Sequence, residues 1–521
     1  MVAPHPRAAA PFPFLSSIAP NNFPMKATNF LIPLLLLLLF TACDDGFEEL
    51  NANPNEPELV PPSTLFPLAV REAVDRIHGH RTRNERLNLD GGMLWMQYFA
   101  RNQYVNEGDT YNPAATLRNE TWDGFYTESL VNLQTVINLT AAPDGRYYNP
   151  NYAAAATVMR EYVFSILTDT WGAIPYSAAL AGSTEGNLAP VYDSQEAVYA
   201  GMLANLKAAS EQLDPSGRPI DKDILFNSDI VLWKKFANSL RLRLANRMAD
   251  RAPGESRAVF AEILGDPARY PIITSNYDAA FFRPTARQND ENNNSWHEVM
   301  VFDSREDWSI STTLINAMAD AEGNATDPRL EVYAKPAQAG DRAGKYAGAP
   351  NGLPEGDAVA YFTTASRPGE YFTAETQAVP LITYAEINFI LAEAAMDGEY
   401  TAGPGAVEYL EAGVRASFEQ YGLTMPDNYV AGRGISRETL MTEKWKALFP
   451  QGIEAWTEYR RTGFPVLPDP DPRAVMENEG KVPTRLRYPE SEYSLNNANV
   501  AAGVAMNGGP DTKLTPLWWA E

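Results

Sequence analysis

The stretch TEKWKALFPQGIEAWTEYRRTGFP, from Thr442 to Pro465, sets the pattern for the whole chain. Trp445, Leu448, Ile453, Trp456 and Tyr459 recur in it at helical intervals, as the apolar face of a helix does. Rings at that period fill a core, so Trp445, Trp456 and Tyr459 are expected inside rather than as platforms for a ligand. Arg460 and Arg461 stand just before Thr462-Gly463 and are expected to tie the helix end to carboxylates.

Outward from this stretch the helical period dominates. Upstream lie Tyr384, Ile387, Ile390, Leu391 and Ala394, then Ala406, Val407, Leu410, Val414 and Phe418. Nearer the N-terminus, Trp122, Phe125, Tyr126, Ser129, Leu130, Leu133, Val136 and Ile137 mark one apolar face, and Ala155 to Leu167 repeats it. Asp193 and Glu196 have capping-box spacing ahead of Val198, Tyr199, Met202, Leu203 and Leu206, a helix start. A further helix carries Trp233, Phe236, Ala237, Leu240, Leu244 and Met248. Glu386 and Glu393 sit on a periodic helix and are expected to bond to backbone or arginine. The stripe Arg241, Arg243, Arg247 is expected to pair with acids or to face solvent. Between about 253 and 380 the text turns rich in Gly, Asn, Pro and Ala, with short periodic pieces such as Ser309 to Ala321. That is a loop-rich insertion on a mainly α scaffold with few strands. Paired helices with small residues at their crossings resemble degenerate tetratricopeptide repeats, which frame concave surfaces.

The 521 residues include 66 acidic and 42 basic side chains, one cysteine and four histidines, for a net charge of −24. One cysteine cannot form an internal disulfide, and it rules out a thiolate-built zinc or iron–sulfur centre. The acidic balance argues against nucleic acid as a partner. With 45% apolar and 11% aromatic residues, the composition is that of a folded protein.

The lone cysteine has a context. Met25, Lys26 and the apolar run Phe30 to Phe40 lead into Thr41-Ala42-Cys43, the layout of a bacterial secretory signal. The run is too short to span a bilayer. Small residues directly before a cysteine resemble the lipobox, with Phe40 where leucine is usual, so Cys43 is expected to carry the lipid. Residues 1–24 are expected to be an extension ahead of the true start, 25–42 the signal peptide, 43–62 a lipidated tether, and 63–521 one domain. Asp44, Asp45, Glu48 and Glu49 resemble a surface-export signal of Bacteroidetes lipoproteins. The protein is therefore expected at the outer membrane, held by lipid alone and facing outward.

Catalytic motifs are absent. There is no G-x-G-x-x-G, no P-loop and no G-x-S-x-G. His297-Glu298 begins like H-E-x-x-H, but Val301 holds the place of the second histidine. Beyond the signal, only His297 remains to join His78 and His80, so neither a metal nor a cofactor is expected. Paired carboxylates for glycoside hydrolysis have no local signature. A surface-anchored glycoside hydrolase and a protein-binding helical scaffold remain as alternatives.

Thr442 to Pro465 closely resembles the SusD/RagB family of nutrient-binding outer-membrane lipoproteins. Matching pieces follow in order: Phe47 to Asn51 with Asn53-Pro54-Asn55, Leu167-Thr168-Asp169 with Trp171 to Tyr176, and Asp327-Pro328-Arg329-Leu330. Ile382 to Ala394, Pro483 with Arg485-Leu486 and Tyr488-Pro489, Asp511 and Trp518-Trp519 complete the set. The resemblance implies about four tetratricopeptide-like helix pairs supporting an irregular part, and no chemical step. It implies capture of a glycan or oligopeptide and delivery to a SusC/RagA-type TonB-dependent transporter, with this protein as its lid. In glycan-binding relatives part of the site precedes the helix that here runs Trp122 to Tyr126, which points to Asn102, Tyr104, Asn106 and Tyr111. A second part falls in the insertion, where Trp296, Asp303, Arg305 and Trp308 cluster. Rings there would stack on sugars while polar neighbours bond hydroxyls.

Overall fold

The computed structural model describes residues 60–79, 86–106, 108–181, 186–286, 293–398, 400 and 402–520. The extension, the signal peptide, Cys43 with its acidic neighbours, nearly all of the tether, and His80 lie outside the described residues. None of the described helices is long and apolar enough to cross a membrane.

The described chain is mainly helical, as its periodicity predicts. Helices α1 (Pro62–His78), α2 (Ala115–Gly124), α3 (Val131–Ala141), α4 (Pro150–Trp171), α5 (Gln195–Gln212), α6 (Ile230–Arg247) and α7 (Pro253–Gly265) form the first half. α1 packs on α3, α3 on α4, α4 on α5, α5 on α6 and α6 on α7. After an irregular stretch with the short α8 (Thr312–Met318) come α9 (Tyr384–Met396), α10 (Ala406–Gln420), α11 (Arg437–Ala447) and α12 (Gly452–Thr462). α7 lies inside the segment that reads as loop-rich, and it packs on α6 as an ordinary helix. Among the described residues, six short strands make three antiparallel pairs: β1 (Phe99–Arg101) with β3 (Trp308–Ile310), β2 (Ala280–Phe282) with β6 (Val379–Ile382), and β4 (Ala334–Lys335) with β5 (Arg367–Pro368).

Local chemistry sets the helix ends. Asn149 caps α4 by accepting from the N–H groups of Asn151 and Tyr152, with Pro150 at the first turn, and Gly172 ends it at φ 87°. This is the usual asymmetry of a polar cap before and a glycine after. The cap of α5 is Ser194, not Asp193. Asp193 turns back instead to accept from the N–H groups of Tyr176 and Ser177.

Trp445 and Trp456 are buried, as their spacing predicts. Tyr98 stacks on Trp445 with ring centres 5.0 Å apart, and Trp95 meets Trp456 at 4.5 Å. Two glycines make this packing possible. A Cβ on Gly92 would overlap the backbone of Gly452, and one on Gly452 would overlap that of Met93. Asn88 closes the crossing, accepting from the Ile453 N–H at 3.1 Å and donating to the Pro450 carbonyl at 2.8 Å. Gly452→Ala is expected to cost about 1–3 kcal/mol by overpacking, read as a lower urea midpoint at unchanged slope; an unchanged midpoint would contradict this contact.

Buried charges join the helices. Arg243 forms a two-point pair with Glu386 at 2.6 Å for each bond. Arg247 binds Asp169 at 2.5 Å and also Glu454. Arg461 holds Glu393 at 2.7 Å and Glu458 at 2.8 Å, and Lys444 meets Glu458 at 2.7 Å. Asp169 also accepts from Tyr199 and Trp519. The motif residues of α4, α6, α9, α12 and the C-terminus therefore meet in one internal network. Arg460 departs from its expected role: it donates to the carbonyls of Asp169 and Thr484 and lies 3.4 Å from the centre of the Trp456 ring.

His78 is buried beside Asn88, and burial pushes its pKa down to about 3. A histidine held neutral in the fold but free to charge when unfolded lends stability above its unfolded pKa. That contribution is lost as pH falls from about 6.5 toward 3, on the order of 5 kcal/mol in the limit. Denaturation against pH is expected to show a shallower acid decline for His78→Gln than for the wild type. Superimposable profiles would count against a buried neutral His78.

Candidate binding cleft

β1 runs into the loop that the sequence nominated, and polar groups pin that loop along its length. Asn102 is fully buried and donates to the Glu306 carbonyl and to Ser309 Oγ, each at 3.0 Å. The Glu355 carboxylate accepts from the N–H groups of Tyr104 and Val105. Asp109, also fully buried, accepts from Arg101 N–H, Gly352 N–H and the Asn351 amide at 2.7 to 3.2 Å. Burial raises its carboxyl to about 6, against the pull of those donors. Gly108 passes so close to the Asp90 carbonyl that a Cβ would overlap it. Tyr104, at φ 56°, is left standing outward and is 64% exposed.

This loop and the helical turn Leu87–Gly92 enclose a cleft of about 370 Å³. Arg86, Asp90, Arg101, Tyr104, Asn106 and Arg305 are among the residues that line it. Its charges alternate along a chain. Asp90 pairs with Arg86 at 2.8 Å and Arg101 at 2.7 Å, and Asp307 pairs with Arg101 at 3.3 Å and also with Arg305. Burial alone would raise the Asp90 carboxyl, but Arg101 and Arg86 hold it below its ordinary range. Arg305 lies 5.4 Å from the Tyr104 ring centre and 5.8 Å from that of Trp308. Trp308 is buried with Arg101 4.4 Å above its ring, a floor under the arginines.

Of the eight nominated binding residues, Tyr104, Asn106 and Arg305 meet at the cleft. Trp308 lies beneath them and lines a second cavity of about 110 Å³ that also contains Arg305. Asp303 is exposed near the end of the turn His297–Phe302. The others lie in the interior. Asn102 is an internal tie, and Tyr111 is 1% exposed with its hydroxyl accepting from Gln97. Trp296 packs among Phe99, Phe372 and Phe449 with ring centres 5.3 to 6.2 Å apart. The resemblance to glycan-binding relatives pointed to these two segments, but the same aromatic text serves a core ring and an exposed one.

Sequence reasoning missed Arg86, Asp90, Arg101, Lys335 and Arg367. The i,i+4 spacing of Arg86 and Asp90 was a visible signal for that pair. Lys335 and Arg367 meet only through the pairing of β4 with β5, which no local pattern announces. The described lining of the cleft holds no histidine, serine or cysteine and a single carboxylate, Asp90. That carboxylate is locked between arginines, which suits binding by hydrogen bonds and stacking rather than proton transfer.

A family model described as SusD-like, starch-binding and associating with the outer membrane matches residues 54–489. No curated protein matches the chain. Among solved structures, a chitin-binding protein gives a TM-score of 0.76 at 26% identity, covering 88% of this chain and 100% of its own. A chitin-binding SusD homolog from Flavobacterium johnsoniae gives 0.74 at 22% identity, over 88% of this chain and 98% of that one. A SusD homolog from Bacteroides uniformis gives 0.73 at 24%, over 88% and 99%. At those identities the last two speak to the fold alone. The fold is the SusD fold, and its family is one of binding proteins rather than enzymes. The chain belongs to the SusD-like family.

Proposed function

We propose that this protein is a glycan receptor of the outer membrane, anchored through a lipid on Cys43 and facing outward. It passes oligosaccharide to a SusC/RagA-type TonB-dependent transporter, over which it acts as a lid. The observation that carries the binding reading is the exposed Tyr104 ring beside Arg305 on a pinned loop. A ring fixed in place offers a stacking face at low entropic cost, and Asn106, Arg86 and Asp90 supply donors and acceptors for hydroxyls. The family description and the chitin-binding relative at 26% identity favour a glycan over an oligopeptide. Among the described lining residues, the lone, arginine-clamped Asp90 does not provide the acid and base of a hydrolase.

Isothermal titration of the full chain against oligosaccharides and oligopeptides, with analysis of products, tests this reading. Saturable binding of an oligosaccharide without turnover is expected. Release of shorter sugars would establish the hydrolase instead, and binding confined to proteins would establish the scaffold. Gentle solubilisation of native outer membrane is expected to recover a SusC-like barrel with the receptor; a consistently solitary protein would contradict the transporter assignment.

A further inference from the structure

The second cavity carries a charge pattern that the first does not explain. Its walls include Arg305, Glu306, Trp308, Lys335, Gln338 and Arg367. At about 110 Å³ it exceeds several times over the 10–15 Å³ or so that one water needs. Lys335 and Arg367 are direct cross-strand partners in the β4–β5 ladder. Like charges placed opposite each other on a ladder repel, so this placement calls for a negative partner.

The acids nearby supply that partner poorly. Lys335 meets Glu370 at 3.2 Å, with side chains 44% and 84% exposed. Arg367 meets the Glu306 carboxylate at 3.4 Å, and that side chain is 57% exposed. Exposed pairs of this kind contribute little and give way easily. Asp307 is already shared by Arg101 and Arg305. Arg367 is 9% exposed, and its Nη1 lacks a partner among the described residues, as does Nε1 of Trp308. Burial outweighs the attraction of Glu306 and Asp307 and draws the Arg367 guanidinium below its ordinary range. All this stands on a chain of net charge −24, so the cationic wall is a local construction against the general field.

We propose that this cavity seats the anionic group, a carboxylate or a sulfate ester, of an acidic glycan whose sugar rings lie in the adjoining cleft. The assignment rests on the glycan-receptor reading and narrows it to a substrate class. Arg305, common to both cavities, links recognition of the ring to recognition of the charge. A guanidinium offers paired donors suited to a carboxylate or sulfate.

The test is an array of matched oligosaccharides: uronate-bearing members with their carboxyl-reduced counterparts, and sulfated members with their desulfated counterparts. The acidic member of one matched pair is expected to bind about tenfold more tightly than its neutral counterpart. Which pair shows the preference tells carboxylate from sulfate. The preference is expected to shrink in Lys335→Gln and Arg367→Gln, and on raising salt from about 50 to about 500 mM. Should Arg367→Gln fold poorly, Lys335→Gln, altering a half-exposed side chain, decides the matter. Equal or tighter binding of the neutral members, still weakened by Tyr104→Ala, would overturn the anion assignment and leave the receptor standing. Failure of every glycan to bind would overturn both.

Discussion

Replacing Arg329 by methionine is expected to lower the free energy of unfolding by about 3–5 kcal/mol, the cost of stranding buried charges. Arg329 is fully buried. It binds Asp327 through Nε at 3.0 Å and Nη2 at 2.8 Å, and reaches Glu443 at 2.8 Å. Lys446 meets Glu443 at 2.9 Å, and the Tyr429 hydroxyl donates to Asp327. Burial would raise both carboxyls, yet the Arg329 charge, helped by Lys446, holds Asp327 and Glu443 below their ordinary range. Methionine fills much of the space but, among the described cations, leaves Asp327 with Lys446 alone at 3.6 Å and Glu443 with Lys446 and the half-exposed Arg433. Adding Asp327→Asn removes the carboxylate left most poorly matched while Glu443 keeps Lys446 and Arg433, and is expected to recover part of the loss. Guanidinium denaturation of the three proteins reads the effect. A loss below about 1 kcal/mol, the level of an exposed pair, would show that the network is not the internal tie described.

The aromatic residues of the binding region are expected to separate into two groups. Trp308→Ala and Trp296→Ala each remove a buried ring and are expected to cost about 3–5 kcal/mol. Tyr104→Ala removes a ring that is 64% exposed and is expected to change stability by no more than about 0.5 kcal/mol. Ligand affinity sorts them the other way. Tyr104→Ala weakens binding directly, whereas Trp296→Ala affects it only through folding. Trp308→Ala does both, because the ring supports Arg101 and Arg305. Denaturation midpoints and titrations on the same samples separate the two effects. A destabilised Tyr104→Ala with normal affinity would reverse the assignment.

The frame was legible in the sequence because one face of each helix repeats at a period that survives translation into structure. Trp445 and Trp456 went inward as that period requires. Glu386 and Glu393, expected to bond to backbone or arginine, pair with Arg243 and Arg461 in the interior, and the Arg241, Arg243, Arg247 stripe, expected to pair with acids or to face solvent, pairs with acids. The text of Thr442 to Pro465 carried the family, and the structure shows why it is so specific: Gly452 meets Gly92, and Glu443, Glu454, Glu458 and Arg461 serve the buried charge networks.

The cleft was legible only as a region. Whether a ring in a loop turns inward or outward depends on what packs beneath it. Trp296 found Phe99, Phe372 and Phe449, while Tyr104 was turned out by a left-handed backbone and Glu355. The cationic wall was hidden for another reason. Lys335 and Arg367 belong to strands of two residues each, too short to show an alternating pattern, and they come together by tertiary pairing.

The central claim, that Tyr104 and Arg305 form the contact surface for an oligosaccharide, has one direct measurement. Titrating wild type and Tyr104→Ala with the best-binding oligosaccharide should give affinities that differ by about tenfold or more, at equal denaturation midpoints. Equal affinities at equal midpoints would contradict the account and place the ligand elsewhere on the protein.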